Sequence, residues 1–479
     1  MDESYGVDEY GTPGGHEVPP GRTTLGALRG AGYRYHSVRT EIRENLVARL
    51  SMGRPSVSTV VGFDDTVLPD LERTLFALHH VVALGDRGQG KSTLLRGLRE
   101  LLDVWTPVID GSVLHEHPMR PQSAWAHSLI AEHGDETPVD WINRDVRLAE
   151  LSCTADITAA DLIGDHEPQL GHGLLPAMNR GIVVLDDLAA LPPRAQAVLA
   201  RVLSDGEITA RGGATLLPLD TLVVAAADRR DYQEYGRVVA PLRDRFAGVI
   251  TTHYPPTLAD EIEILRRSAV LGPRDSNLFI PQVPGYLIEI VARFARAVRA
   301  TPDFEPEAAA SVRYGIGALE TLGGSAARRA SLHREDAIVR PADLSTLISA
   351  GLARIRSAEG DPEHERRLLA GLLDEAIAQT CRTRLTEQET SIIAARFGHG
   401  VSLATGPDRS SREVLDQLGT VPQFSQLLQQ LGIGDGAETP GLAAGAVEFV
   451  LEGLITEGQV TRHREQTTIT YRSASEAGP

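Results

Sequence analysis

Residues 85–92 of this 479-residue chain read Gly85-Asp86-Arg87-Gly88-Gln89-Gly90-Lys91-Ser92. The stretch meets every fixed position of the phosphate-loop pattern G-x-x-x-x-G-K-[ST]. The apolar run Val81–Leu84 precedes it and a helical pattern over Thr93–Leu102 follows, which is the context that such a loop requires. Glycines let backbone N–H groups curl round phosphates, and the start of the helix adds the positive end of its dipole. The stretch therefore predicts a phosphate-binding loop in an α/β fold.

Lys91 is the only lysine in a sequence whose lysines and arginines together number 47. A drift from lysine to arginine costs little at most surface sites, but a planar guanidinium does not replace a compact ammonium where space is tight. The position of this lysine favours a working phosphate loop over a plain glycine-rich turn. We expect Lys91 to reach the β- and γ-phosphates of ATP, and the Ser92 hydroxyl to bind Mg²⁺. The candidate ATP-binding residues here are Gly85, Asp86, Arg87, Gly88, Gln89, Gly90, Lys91, Ser92 and Thr93.

A second acidic motif follows where the apolar run Gly181–Leu185 ends in Asp186 and Asp187. A buried strand that ends in two carboxylates is the form of a Walker B segment. Asp186 would hold Mg²⁺, and Asp187 stands where many ATPases place a glutamate that polarises the attacking water. An acidic cap between a strand and a loop is common by itself, but its pairing with the loop at 85–92 favours the Mg²⁺ site.

Short apolar runs alternate with helical patterns between about residues 59 and 255. The strand candidates are Val81–Leu84, Pro107–Asp110, Ile182–Leu185 and Leu222–Ala226. Nearly continuous apolar strands between helices indicate a parallel sheet that is covered on both faces. We therefore expect an α/β ATP-binding domain over 59–255.

Composition divides the rest of the chain. Residues 1–23 are rich in Gly, Pro and acidic side chains and predict a disordered tail, and residues 24–58 predict an N-terminal helical segment. Residues 256–358 show helical patterns throughout and end before a Gly/Asp/Pro break. Residues 363–479 predict a mainly helical C-terminal domain for partner binding, and two β-type runs at its end could form a winged hairpin.

The chain is acidic, with 47 Lys and Arg against 65 Asp and Glu and a net charge of −18. Its overall field does not attract nucleic acid or anionic lipid, which argues against DNA binding. No apolar run approaches the roughly 18 residues of a membrane span, and residues 1–6 lack the pattern of a signal peptide. Cys153 and Cys381 are too few for a disulfide framework. We expect a cytoplasmic protein with no membrane span.

These motifs and several shorter blocks resemble the AAA+ ATPases of the magnesium-chelatase subunit I and MoxR-like group. The resemblance covers roughly 59–350 and implies a P-loop AAA+ parallel sheet with helices on both faces, followed by a helical lid over 256–358. It also implies that Val61 and Gly62 lie beside the adenine. The shorter blocks, in chain order, are Val60–Asp65, Asp161–Asp165, Gly173–Gly181 and Pro241–Phe246.

The resemblance implies roles for individual residues as well. Arg245 would be the arginine finger that reaches the γ-phosphate bound by a neighbouring subunit, so the active form would be a homo-oligomeric ring, a hexamer in the family. Arg243 is a weaker candidate, for which a surface salt bridge is the alternative. Arg313, at the start of a helix, resembles the sensor-2 arginine of the lid, and Asp228 stands at the sensor-1 position.

Two residues depart from the family pattern. Asp187 replaces a glutamate, and its shorter side chain would hold the carboxylate about 1.5 Å from the expected place, a displacement that can cost about 10²-fold in rate. Asp228 replaces an asparagine, which puts an anion near a polyphosphate unless Mg²⁺ or an arginine compensates. The sequence therefore predicts Mg-ATP binding and leaves fast and slow hydrolysis open.

Three functions remain open from the sequence. The first is an ATPase that remodels a partner protein or inserts a metal into it, because such ATPases commonly work with a protein that carries a von Willebrand factor A domain. The second is a nucleotide-gated assembly module with little turnover. The third is a transcription activator, but the GAFTGA loop of those activators is not in the sequence. A metal site at residues 115–117 and a helix-turn-helix over 385–398 have weaker support than a solvated loop edge and a protein-interaction module.

Overall fold

The computed structural model describes residues 20–164, 173–209, 216–273, 279–304, 311–352, 355, 360–386, 390, 394, 402–417, 439–465 and 467–474. The chain divides into two compact units between Tyr254 and Pro255. The described β-strands are β1 Thr23–Thr24, β2 Val81–Leu84, β3 Trp105–Ile109, β4 Pro138–Asn143, β5 Leu148–Ser152, β6 Gly181–Asp186, β7 Glu207–Thr209, β8 Leu216–Pro218, β9 Thr221–Ala227, β10 Gly248–Thr251, β11 Leu403–Thr405, β12 Val460–Glu465 and β13 Thr468–Ser473.

Helices account for most of the remaining described residues. The α-helices of the first unit are α1 Leu25–Gly30, α2 Val38–Ser51, α3 Val67–Phe76, α4 Lys91–Gly97, α5 Ala124–His133, α6 Ala159–Ile163, α7 Leu174–Ala177, α8 Pro193–Asp205, α9 Arg229–Gln233 and α10 Ala240–Arg243. Those of the second unit are α11 Leu258–Ser268, α12 Gly285–Ala300, α13 Val312–His333, α14 Thr346–Leu352, α15 Pro362–Arg384, α16 Ser411–Asp416 and α17 Pro440–Thr456.

A five-stranded parallel sheet forms the centre of the first unit, in the order β10-β2-β9-β6-β5. Alternate residues of its central strands belong to two separate cores, so that Val81 and Ala83 pack on one face while Val82 and Leu84 pack on the other. Burial on both faces explains why these strands are continuous apolar runs in the sequence. The predicted α/β class with a covered parallel sheet is confirmed.

One predicted strand of this sheet is wrong in its pairing. The segment predicted at Pro107–Asp110 is strand β3, but it pairs antiparallel with β4 in a separate sheet of order β1-β4-β3. The parallel sheet instead contains β5 and β10, which the sequence did not reveal. Both lie at the edges of the sheet, and β10 alternates buried and exposed residues rather than forming an apolar run.

The N-terminal helices pack against the sheet rather than forming a body of their own. Ile42 and Leu46 of α2 and Val57 lie in the same core as β2. Glu41 forms a two-pronged ion pair with Arg147, at 2.7 and 2.6 Å, and both side chains are buried. Such a pair fixes α2 on the sheet because breaking it would leave one buried charge unpaired. Most of the tail predicted at 1–23 lies outside the described residues.

The second unit has one shared core. Leu265 and Leu319, from the region predicted as a lid, lie in the same apolar cluster as Leu373, Val450 and Tyr471 from the C-terminal region. The described residues on either side of the break at 359–362 therefore pack as one body. The two β-type runs at the end of the chain pair as an antiparallel hairpin, β12 with β13, and β11 pairs with β13 on its other edge.

Helix α17 runs through the middle of this core, and every residue from Gly441 to Leu454 is buried. Its two acidic residues are satisfied by hydrogen bonds. Glu448 accepts from the backbone N–H of Ala342 at 3.0 Å, and Glu452 accepts from the Tyr471 hydroxyl at 2.7 Å. In the part of the chain that the structure describes, no helix has the length and apolar character that crossing a membrane requires.

Candidate functional site

The loop at 85–92 joins β2 to α4 at the carboxyl edge of the parallel sheet. Gly88 and Gly90 have φ of 76° and 75°, a left-handed conformation that favours glycine. Among the described residues, no acceptor is bound by the backbone N–H groups from Arg87 to Thr93. This row of unpaired donors at the start of a helix fits a phosphate group.

Lys91 is folded onto its own loop. Its ammonium group donates to the carbonyl oxygens of Gly85 and Asp86, each at 2.7 Å. Burial lowers the pKa of Lys91 below its usual value, while the carboxylates of Asp228 and Asp186 act in the opposite direction. The ammonium group is thus held at the loop, among the anions and carbonyls that a bound polyphosphate would replace as partners.

Ser92 and Asp186 lie together, as the two motifs predict. The Ser92 hydroxyl donates to Asp186 Oδ2 at 3.1 Å, although the two residues are 94 positions apart in the sequence. They meet because β2 and β6 are parallel strands separated by β9 alone, so both carboxyl ends lie at one edge. A hydroxyl and a carboxylate are the oxygen donors that Mg²⁺ takes in nucleotide sites. The donor set therefore fits a Mg²⁺-bound nucleotide.

Asp187, the candidate water-activating residue, directly follows this strand. Its backbone is left-handed, with φ of 58°, and its side chain is exposed. Partial burial of the carboxyl raises its pKa, as does the neighbouring charge of Asp231, whereas Arg87 lowers it. Within the described part of the chain, the Asp187 carboxylate makes no hydrogen bond that would fix its direction.

Asp228 directly follows strand β9 and caps the next helix. Its Oδ1 accepts from the backbone N–H of Arg230 at 2.9 Å, at the start of α9. Of the carboxylates that raise the pKa of Lys91, Asp228 has the largest effect. The residue at the predicted sensor-1 position is therefore close to the loop, but one carboxylate oxygen is engaged by the helix cap.

The block that begins at Val60 lies beside the loop. Gly62 is left-handed, with φ of 77°, and Val61 is half-buried. Phe63 is buried, and a Cβ at Gly90 would lie 3.9 Å from its ring. The ring of His253 meets Phe63 edge-on at 5.2 Å between centroids. Val61 and Gly62 are thus close in sequence to a residue that touches the loop, and their contact with adenine stays a prediction.

The three arginine candidates differ in surroundings. Arg245 is exposed, and its guanidinium binds no side chain or carbonyl among the described residues, while Leu242 and Phe246 anchor its segment in the core. Arg243 donates to the carbonyl of Tyr232 at 3.5 Å, so it has a local structural role. Arg313 is exposed in the first turn of α13, in the second unit.

The histidine pair at 115–117 is structural, and the expected solvated loop edge is wrong. Glu116 and His117 are only 1% and 2% exposed. Glu116 accepts from the backbone N–H groups of Gln122 and Ser123, at 2.7 and 2.6 Å, just before α5. Burial lowers the pKa of His117 to about 3, which keeps the ring neutral. No cluster of metal-binding side chains occurs among the residues that the structure describes.

Two residues outside the motif contact the loop, and the sequence analysis did not identify either of them. Thr252, directly after β10, donates its hydroxyl to Gln89 Oε1 at 3.1 Å, and the Tyr254 hydroxyl donates to the carbonyl of Arg87 at 2.9 Å. No local pattern in the sequence marks either residue, because both contacts join positions more than 160 residues apart.

Comparison with known proteins gives partial matches. The family described as the Sigma-54 interaction domain matches residues 166–238. The magnesium-chelatase 38 kDa subunit of Cereibacter sphaeroides is 24% identical over 188 residues, which is 39% of this chain and 55% of that protein. The subunit of the same name from Acidiphilium rubrum is 28% identical over 193 residues, with the same two coverages. The chain thus spans about half the length of these curated relatives.

The solved structures that match this chain have lower sequence identity to it. NtrX from Brucella abortus, in complex with ADP, has a TM-score of 0.40 at 14% identity and covers 71% of this chain and 68% of its own. The Thermotoga maritima RuvB Holliday junction branch migration motor has a TM-score of 0.33 at 14% identity, and the match covers 89% of this chain and 88% of that one.

Proposed function

We propose, from the premise that this chain carries an AAA+ ATPase domain of the magnesium-chelatase type, that it binds and hydrolyses Mg-ATP and uses the turnover to act on a partner protein. The observation that carries this proposal is the 3.1 Å hydrogen bond between Ser92 and Asp186. It joins the two halves of a Mg²⁺-nucleotide site that the sequence places far apart.

In this proposal the phosphates lie against the N–H groups from Arg87 to Thr93, which bind no acceptor among the described residues. Lys91 leaves the carbonyls of its own loop for the phosphate oxygens, and Ser92 and Asp186 hold Mg²⁺. When bound, Mg²⁺ would neutralise part of the negative charge of the phosphates. Asp187 orients the attacking water, and Asp228 lies beside Lys91 at the position of a γ-phosphate sensor. Val61 and Gly62 lie along the adenine.

Turnover in this proposal needs a second copy of the chain. Arg245 is exposed and unpaired among the described residues, as a residue that acts on a neighbouring subunit must be. A ring of subunits, a hexamer in the family, would place Arg245 at the γ-phosphate of the next site, with Arg313 as the sensor-2 arginine. ATP turnover would remodel a partner protein or insert a metal into it. The partner class that we propose is a protein with a von Willebrand factor A domain. The compartment that we propose is the cytoplasm.

A nucleotide-gated assembly module is the second candidate function. The observation in its favour concerns the water-activating half of the site. The exposed Asp187 carboxylate accepts no hydrogen bond from any residue that the structure describes, and one oxygen of Asp228 is engaged by a helix cap. Such a chain would bind Mg-ATP and change its assembly state with little turnover.

The match of residues 166–238 to a Sigma-54 interaction domain keeps a transcription activator as a third candidate. Against it, the GAFTGA loop is not in the sequence and the net charge is −18. A gel-shift experiment with duplex DNA tests it, because a basic DNA-binding surface would give a shift that weakens with salt.

The experiment that tests the proposed function measures steady-state ATP hydrolysis with Mg²⁺, beside binding of a fluorescent ADP. Wild type is compared with Lys91→Ala and Arg245→Ala. We expect turnover by wild type, loss of binding and turnover in Lys91→Ala, and loss of turnover with retained binding in Arg245→Ala. Binding without turnover above background in wild type would favour the assembly module, and no binding at all would overturn both.

A further inference from the structure

Two buried polar side chains meet beside the phosphate loop. Gln89 belongs to the loop and is 7% exposed, and Thr252 directly follows β10 and is 3% exposed. Gln89 Oε1 accepts from the backbone N–H of Asp86 at 3.0 Å. The single proton of the Thr252 hydroxyl has two acceptors within reach, Gln89 Oε1 at 3.1 Å and the carbonyl of Leu84 at 3.3 Å, and Gln89 is the nearer of the two. Gln89 Nε2 donates to Asp86 Oδ2 at 3.1 Å. The carboxamide oxygen therefore uses both of its lone pairs inside the protein.

This pair occupies the space next to Gly85. A Cβ added to Gly85 would clash with both Thr252 Oγ1 and Gln89 Oε1. The backbone N–H of Thr252 donates to the carbonyl of Leu84 at 2.8 Å, which extends the pairing of β10 with β2 by one residue. Thr252 is thus fixed by the sheet, and through its hydroxyl the sheet fixes the first half of the loop.

The loop's hydrogen-bonding groups divide into two sets. The first set is bonded within the protein. The Asp86 N–H donates to the Gln89 carboxamide, which also accepts from Thr252, and the carbonyl of Arg87 accepts from the Tyr254 hydroxyl. The N–H groups from Arg87 to Thr93 are the second set, and they have no acceptor among the described residues. If the loop already has this form before the ligand binds, less of the binding free energy is lost in ordering the loop.

We propose that Gln89 and Thr252 are positioning residues of the nucleotide site, whose hydrogen bond holds the loop in its phosphate-binding form. The inference rests on the proposed function, because it concerns the loop that would bind the nucleotide. Neither side chain needs to touch the phosphate. Their effect is on the affinity for nucleotide, through the backbone of the loop, and leaves the chemical step to other residues.

The test compares Thr252→Val, which removes the hydroxyl at nearly constant volume, with Thr252→Ser, which keeps it. The probe is ADP with a fluorescent N-methylanthraniloyl group, and Mg-ATP hydrolysis gives KM and kcat. We expect Thr252→Val to raise the Kd for the probe and the KM for ATP by about fivefold, which is about 1 kcal/mol at 1.4 kcal/mol per tenfold. We expect kcat to change by less than about twofold and Thr252→Ser to restore the affinity.

A second variant, Gln89→Leu, makes the test independent of the folding of a single mutant. We expect it to raise the Kd by about tenfold, because it removes both bonds to Asp86 as well as the bond to Thr252. In the Gln89→Leu background, Thr252→Val should add less than about twofold, since the shared hydrogen bond is already gone. Thermal melting followed by circular dichroism checks that each variant is folded.

The outcomes separate the inference from the proposed function. If wild type binds no fluorescent ADP, the proposed function fails and the inference fails with it. If wild type binds but Thr252→Val binds equally well, or the two substitutions have fully additive effects, the inference alone is wrong. A lower melting temperature with unchanged KM would show that the pair stabilises the fold and does not position the loop.

Discussion

Asp186 and Asp187 are neighbours at the end of one strand, yet their surroundings differ. Asp186 accepts a hydrogen bond from Ser92 at 3.1 Å and lies beside the loop that holds Lys91. Asp187 has a left-handed backbone, an exposed side chain and a carboxylate that no described residue binds. The nucleotide-holding half of the candidate site is therefore assembled from mutually bonded groups, and the water-activating half is not.

This difference separates two requirements that are often treated as one. Holding Mg-ATP needs backbone donors, a cation and metal ligands, and the parallel sheet brings these together because β2 and β6 end at one edge. Activating a water needs a base at one distance and direction, and an error of about 1 Å can cost about 10²-fold in rate. We therefore expect the departures at Asp187 and Asp228 to change nucleotide affinity little and to lower the rate of hydrolysis.

The largest expected effect comes from replacing Lys91 by arginine. We expect Lys91→Arg to weaken binding of fluorescent ADP by about 100-fold or more, because a planar guanidinium does not replace the compact ammonium that turns from the carbonyls of Gly85 and Asp86 to the phosphates. Lys91→Met keeps nearly the length of the side chain and removes its charge, and we expect it to weaken ADP binding by as much. Isothermal titration gives the affinities. Binding by Lys91→Arg within about threefold of wild type would show that the assembled half does not depend on a compact cation.

The next effect is a gain. We expect Asp187→Glu to raise kcat for ATP by about tenfold, because the additional methylene moves the carboxylate toward the place that the family's glutamate occupies. The matched control is Asp187→Asn, which has the size of aspartate without its charge and should lose turnover while it still binds ADP. Hydrolysis measured at saturating ATP decides between them. A fall in kcat for Asp187→Glu would mean that this site is already fitted to aspartate.

The contrast between the halves also explains what the sequence could predict. The loop at 85–92 and the strand end at Asp186 are short local patterns that were both assigned to Mg-ATP, so the meeting of Ser92 with Asp186 followed from them. The parallel sheet followed from the alternation of apolar runs with helical patterns. The resemblance to magnesium-chelatase AAA+ ATPases, which rested on these motifs together with the four shorter blocks, is confirmed by the curated relatives.

Other features could not be predicted because they depend on distant parts of the chain. Thr252 lies 163 residues from its partner Gln89, and no periodicity links the two. Strands β5 and β10 are edge strands, so they lack the continuous apolar run that identifies a central strand. Glu116 is charged and was expected in solvent, but it is buried because it binds the backbone just before α5.

A smaller effect concerns pH. Partial burial of the carboxyl and the neighbouring charge of Asp231 raise the pKa of Asp187 above its usual value, so this carboxyl takes up a proton at a higher pH than a fully solvated aspartate. Since only the carboxylate can accept a proton from water, kcat should fall as pH decreases through the raised pKa and should level off above it. Arg87 lowers this pKa, and we therefore expect Arg87→Gln to move the acid limb of the kcat profile to higher pH. An acid limb that does not move would exclude Asp187 as the titrating group.

The smallest effect tests whether Asp228 weakens binding. Its carboxylate is the main charge that raises the pKa of Lys91, and it would face an incoming polyphosphate. Asp228→Asn removes the charge and keeps an oxygen that can cap α9, because asparagine and aspartate are similar helix caps. We expect the Kd for ATP to fall by about threefold to fivefold at low salt, the size of a partly screened charge interaction, and the gain to shrink as salt is added. Asp228→Ala serves as the control, since it loses both charge and cap. If Asp228→Asn instead weakens ATP binding, the carboxylate contributes to holding the nucleotide, through Lys91 or through Mg²⁺, and the assembled half of the site extends to the end of β9.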